Sequence, residues 1–144
     1  MKYLFLLFAP LITLNVATAQ QMEIQKEKWH WGTAIGQDTV AGYAQVVKVD
    51  NILYISGAVS NKIDAEGIRR LYMGLQASLE SFGAGFQNVV KENLYTTDME
   101  AMKQNNHVRK QFYNGDYPAA TWIAVPRLYM EDARLEVELV AHLP

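Results

Sequence analysis

The clearest periodicity in the chain lies at residues 65–82, where Ile68, Leu71, Tyr72, Leu75, Leu79 and Phe82 recur at spacings of three and four. That spacing collects them on one side of a helix and predicts a single buried face. Asp64 stands where a side-chain oxygen can accept the first unpaired helical N–H groups. Gly83 stands where the chain can turn left-handed and stop the helix. Upstream, "YAQVVKV" at 43–49 and "ILYIS" at 52–56 are strand-like runs on either side of Asp50-Asn51. A turn pair between two such runs predicts an antiparallel hairpin. "VVKENLYTT" at 89–97 reads as a third strand. Thr97-x-x-Glu100 reads as a capping box that opens a second helix, which runs to about Tyr113 and breaks at Asn114-Gly115-Asp116. "ATWIAV" and "RLEVELVA" then read as two closing strands. In the last, Leu135, Val137, Leu139 and Ala141 share one face. Arg134, Glu136, Glu138 and His142 share the other, together with Val140. The predicted order is β-β-α-β-α-β-β, an α+β sandwich with two helices on one face of the sheet.

The N-terminus is a different material. Lys2 precedes a short apolar run, "YLFLLFAPLITLNV", interrupted by Pro10, and Ala17-Thr18-Ala19 has the small-x-small form of a cleavage site. This predicts a signal peptide over 1–19, an exported protein (periplasmic or secreted), and one domain over 20–144. The uninterrupted run is shorter than the roughly 20 residues a membrane span needs, so stable membrane insertion after cleavage is not expected.

Composition narrows the chemistry. Removing residues 1–19 takes away Lys2, one of 13 Lys and Arg, and none of the 15 Asp and Glu. The remainder is therefore more acidic than the formal −2 of the whole chain. A nucleic-acid partner is not expected of such a chain, because phosphate backbones are bound through a basic footprint. With no Cys there is no disulfide, thiolate nucleophile or thiolate metal site. His30, His107 and His142 have no ligand-type spacing, so no metal is expected. Neither a Gly-x-Ser-x-Gly elbow nor a Walker loop is present. Any catalysis falls to acid–base work on a bound small molecule.

Several short stretches, in order, resemble one family. They are Gly42-Tyr43-Ala44-Gln45, Ser56-Gly57, Val89-Val90-Lys91, Leu94-Tyr95, and Asp98-Met99. After them come Asn106, Phe112-Tyr113, Tyr117-Pro118-Ala119, Val125, Leu128, and Leu135-Glu136-Val137-Glu138. Together they are similar to the RidA family, also called YjgF or L-PSP, over about residues 33–142. The resemblance implies a chorismate-mutase-like fold and a homotrimer whose ligand clefts lie between subunits. It also implies hydrolysis of 2-imino or 2-enamino acids to 2-oxo acids and ammonia, without a metal or organic cofactor.

Carried over position by position, the resemblance makes Glu136 the group that handles the attacking water. Tyr43 becomes a cleft-lining tyrosine, with Asn106, Ser56 and Gly57 beside the ligand. Two positions depart from the pattern. Ala120 stands where the family has the arginine that clamps the substrate carboxylate, and Ala58 stands where it has a glutamine. Trp122 shares strand parity with Ala120, which predicts a more apolar, aromatic cleft. Arg109, one helical turn after Asn106, is a possible substitute cation, although a solvated helix face is its expected place. Read without the resemblance, Glu136 is a surface or interface carboxylate. The functional classes left open are an imine or enamine deaminase with an altered substrate, an exported binder of a small, partly aromatic molecule, and, more weakly, an endoribonuclease.

Overall fold

The computed structural model describes residues 23–144, and the predicted signal peptide lies outside the described residues. Six strands form one mixed sheet. They are β1 (Glu27–Trp29), β2 (Val46–Val49), β3 (Ile52–Ser60), β4 (Val89–Thr96), β5 (Ala119–Ala124) and β6 (Leu135–His142). The sheet order is β1-β2-β3-β6-β4-β5. All pairs are antiparallel except β4 with β5. A parallel pair needs a crossover connection, and helix α2 (Met99–Tyr113) supplies it. Helix α1 (Ala65–Glu80) makes the corresponding crossing from β3 to β4, whose common neighbour is β6.

The predicted order appears with one addition, β1. Its three residues carry no alternation that marks a strand; they become one by lying along the edge of β2, with Trp29 opposite Val46 and Glu27 opposite Lys48. The Glu27 carboxylate and the Lys48 ammonium pair across that edge. The hairpin turn falls at Asp50-Asn51 as predicted, and Asp50 takes a positive φ of 52° to make it. The predicted start of β2 does not hold. Tyr43, Ala44 and Gln45 precede the strand, because a π-helical turn over Ile35–Ala41 delivers the chain to them. That turn closes at Gly42 with φ 78°, and the Tyr43 N–H donates back to the Gln37 carbonyl at 3.1 Å.

Helix α1 buries the face its spacing foretold. Ile68, Leu71, Tyr72, Leu75 and Leu79 are buried, with Phe82 partly so. They pack on Leu53, Ile55, Leu94, Leu135, Val137 and Leu139 from the sheet. Asp64 caps the helix by accepting from the Gly67 N–H at 2.7 Å. Gly83, at φ 71°, lets the Ala84 N–H return to the Leu79 carbonyl at 3.0 Å. The cap of α2 is Asp98 rather than Thr97: the Asp98 carboxylate accepts from the Ala101 N–H at 3.0 Å. Thr97 is drawn aside by Arg134, whose Nε donates to the Thr97 hydroxyl at 2.7 Å. Among the described residues, the other sheet face carries no helix. There Val47, Tyr54, Lys91, Asn93, Glu138 and Val140 line a shallow depression of about 240 Å³. Among the described residues no helix is long and apolar enough to cross a membrane.

Candidate functional site

The alternation along β6 decides which acids are available. Leu135, Val137, Leu139 and Ala141 point into the core, so Glu136 and Glu138 stand on the helix-free face. Glu138 is held: its Oε1 accepts from Asn93 Nδ2 at 2.8 Å and from the Tyr95 hydroxyl at 3.2 Å. Glu136 has no ion-pair partner among the described residues and is half-buried. Its carboxylate lies against Gly57. A Cβ at that position would sit 2.0 Å from Glu136 Oε1, so only glycine leaves the carboxylate its place. The β3–β6 register shifts between Ile55 and Ala58, which puts Ser56-Gly57 in a bulge across from Glu138 and next to the Glu136 carboxylate. Burial, and next to it the Glu138 charge, push the Glu136 pKa above the usual carboxylate range.

Gln45 secures the approach of Tyr43. It is buried, its amide donates to the Ser56 carbonyl at 2.9 Å, and its carbonyl accepts from Gln37 Nε2 at 3.3 Å. The Ser56 hydroxyl donates to the Ala44 carbonyl at 2.8 Å. These bonds tie the loop before β2 to the bulge in β3. Tyr43, Ser56, Gly57 and Glu136 thereby line one cavity of about 400 Å³, whose outer wall is Tyr129 and Met130. Sequence reasoning missed those two. They sit in the loop between β5 and β6, where no periodicity marks a residue's direction. Gln45 was visible as the last residue of Gly42-Tyr43-Ala44-Gln45, but its positioning role was not.

The other candidates lie elsewhere. Ala58 pairs with Val137 and packs against the core, so it points away from this cavity. Ala120 and Trp122 share a face with each other, as their parity requires, but it is the helix-covered face. Their register partners on β4 are Glu92 and Leu94, both buried beneath the helices. Trp122 packs against the core from there. Asn106 is on α2, and its Oδ1 is buried without a donor. A single chain therefore brings Tyr43 and Glu136 together and keeps Ala120, Trp122 and Asn106 on the opposite side of the sheet.

Arg109 overturns the expectation of a solvated helix face. It is only 5% exposed, and its Nε donates to Glu92 Oε1 at 2.8 Å. Glu92, fully buried, also accepts from the Tyr72 hydroxyl at 2.9 Å and the Tyr113 hydroxyl at 2.7 Å. Burial and then the Glu92 charge raise both tyrosine pKa values, so each stays a donor. Burial alone would lower the Arg109 pKa; Glu92 outweighs it, and the net direction is up. The signal for this network was present: Glu92 has the parity of Leu94 and Thr96 on a strand whose other face is the open one.

Fold and site together define a small α+β domain of the kind seen in YjgF-type structures, with a carboxylate-bearing cavity on the sheet. The model of the Endoribonuclease L-PSP family matches residues 34–143, and the chain belongs to that family. Among its relatives, RutC family protein UK114 of Drosophila melanogaster is 30% identical over 118 residues, covering 76% of this chain and 85% of its own. The human 2-iminobutanoate/2-iminopropanoate deaminase is 28% identical over 118 residues, again 76% of this chain and 85% of its own. A YjgF/YER057c/UK114 family structure from Mycobacterium tuberculosis superposes with a TM-score of 0.73 at 20% identity, covering 83% of this chain and all of its own. Among the described residues no cluster of three or more His, Asp or Glu is arranged to hold a metal ion.

Proposed function

We propose that this protein is an imine or enamine deaminase that releases a carbonyl compound and ammonia. The observation that carries the reading is the Glu136 carboxylate seated over Gly57, without a cationic partner, in a cavity that also holds Tyr43. A carboxylate with a raised pKa is a competent base near neutral pH and a competent acid after it has taken a proton. Glu136 accepts a proton from water as the water oxygen bonds to the imine carbon. It passes that proton to nitrogen, giving a carbinolamine, and then carries the carbinolamine hydroxyl proton to nitrogen as the carbonyl forms and the carbon–nitrogen bond breaks. One water is consumed, one ammonia leaves, and no electrons are exchanged. Relatives named 2-iminobutanoate/2-iminopropanoate deaminase give the reaction class its support.

The working form in this reading is a homotrimer with its ligand clefts between subunits. The Tyr43–Glu136 group and the Ala120–Trp122 group face opposite sides of one sheet, so a cleft holding both needs two copies. The signal-peptide pattern at 1–19 supports a role outside the cytoplasm in this reading. Ala120 offers no charge to a carboxylate where the resemblance has arginine, so either the substrate differs from the family's usual one or its carboxylate finds another cation. A non-catalytic binder of a small, partly aromatic molecule is the second reading, favoured by Tyr43, Tyr129 and Met130 around the cavity. Cleavage of RNA, which the family description names, has less support on a chain with a net negative charge.

The test is Glu136→Gln, assayed for ammonia and 2-oxo acid release from 2-iminobutanoate made in situ by an amino-acid oxidase. Loss of general acid–base catalysis should slow turnover by about 10²–10⁴-fold with the fold unchanged. A folded variant as fast as wild type would remove Glu136 from the chemistry. Wild type that binds product and never releases ammonia would favour the binder.

A further inference from the structure

The Arg109 guanidinium is a buried cation that uses one of its N–H donors, the one on Nε, within the described residues. Its contact with Glu92 runs through Nε. The two terminal nitrogens find no hydrogen-bond acceptor among the described residues. They are not sealed off, since the unpartnered polar atoms cut off from solvent there are His30 Nε2 and Asn106 Oδ1. Burying charged donors without acceptors costs stability, and the rest of the network is built with full pairing. Glu92 takes three donors, one from Arg109 and two from tyrosine hydroxyls. That arrangement fixes the guanidinium by its inner edge and leaves its outer edge open.

The surroundings of that outer edge are aromatic. The Arg109 Cζ lies 4.8 Å from the Tyr113 ring centroid, 5.4 Å from Trp122 and 5.9 Å from Tyr117. Rings at these distances hold a cation by its faces and do not satisfy its N–H groups. Ala120 is exposed, lies next to Glu92 in register and shares a face with Trp122. A methyl group there leaves the approach to the guanidinium clear. An arginine in its place would set a second cation beside the first. One turn before Arg109, the Asn106 Oδ1 is also unmet, so this helix face lacks partners of both kinds.

We propose that Arg109 is the cation that binds the carboxylate of a small planar ligand, reached past Ala120 and flanked by Trp122 and Tyr117. Two parallel N–H···O bonds to one carboxylate match the free edge of a guanidinium held at Nε. The ligand class is a short 2-oxo or 2-imino acid. This deepens the deaminase reading and rests on it for the nature of the ligand; the binding claim itself stands on the open guanidinium edge.

The experiment measures 2-oxobutanoate binding by calorimetry, with 2-oxobutanamide as the uncharged probe. Wild type should bind the acid at least 10-fold more tightly than the amide. Arg109→Lys keeps a charge beside Glu92 and gives up the fork; it should weaken the acid by about 10–100-fold and leave the amide unchanged. If that variant does not fold, Glu92→Gln/Arg109→Met removes both charges together and should show the same loss. Equal affinity for the acid in wild type and in a folded variant would overturn the proposal. So would a wild type that ignores 2-oxobutanoate at millimolar concentration. So would an Arg109→Lys chain that loses its oligomeric state and keeps its affinity, since the fork would then belong to a subunit contact. Arg109-dependent binding without turnover of 2-iminobutanoate would uphold the site and remove the deaminase reading. Glu136-dependent turnover with unchanged KM in Arg109→Lys would do the reverse.

Discussion

Glu136 shows how one glycine governs an acid. Any side chain at position 57 would occupy the space of the carboxylate, and the bulge that carries Gly57 exists because β3 and β6 slip by one step there. Burial gives the carboxyl a higher pKa in the folded chain than in the unfolded one. The folded state then holds the proton more tightly. Its contribution to stability is present in full below the ordinary carboxylate value, about 4.3. It is lost as pH rises through the folded value. Glu136→Gln does not titrate. The melting temperature of the variant relative to wild type should therefore rise between the ordinary and the raised pKa and then level off. Thermal melts across that window check it, and a difference that stays flat with pH would show that burial of the carboxylate has no energetic consequence.

At the scale of elements, α2 does two jobs. It closes the parallel crossover between β4 and β5, and it carries Arg109 and Tyr113 over Glu92. Its placement starts at Asp98, whose carboxylate satisfies the Ala101 N–H. Asp98→Ala should cost about 1 kcal/mol, within the 0.5–2 kcal/mol range for caps, as read by denaturant melts. A smaller loss than in Thr97→Ala would return the capping role to Thr97. The sequence pointed to Thr97 because the Thr-x-x-Glu spacing is correct there. The outcome turned on Arg134, thirty-seven residues away, whose Nε occupies the Thr97 hydroxyl. The same reach across the chain explains β1, which no local pattern marked and which the edge of β2 made into a strand.

The whole molecule presents two unlike sheet faces. One is covered by the two helices. The other carries Tyr54, Val47, Val140 and the Glu138 network, with no layer over it among the described residues. Burying such a face between copies is a route to stability for a small chain without disulfides. We expect a trimer in solution. Light scattering at micromolar concentration should return about three times the chain mass, and a cooperative monomer under those conditions would contradict the intersubunit cleft.

What the sequence determined by itself is what repeats locally. The three-and-four spacing of α1, the alternation along β6, the Asp50-Asn51 turn and the stops at Gly83 and Asn114 follow from side-chain direction and backbone sterics within a few residues. The candidate residues came instead from the family resemblance, carried over position by position; local pattern added only the shared parity of Ala120 and Trp122. Tertiary structure decided what those residues face. Strand parity put Ala120 with Trp122, but only the parallel pairing with β4 turned both toward the helices. Helical spacing put Arg109 one turn after Asn106, but only Glu92, from another strand, drew it out of water. A charged side chain's place depends on where its counter-charge and its water are, and those are fixed by contacts between segments far apart in the chain.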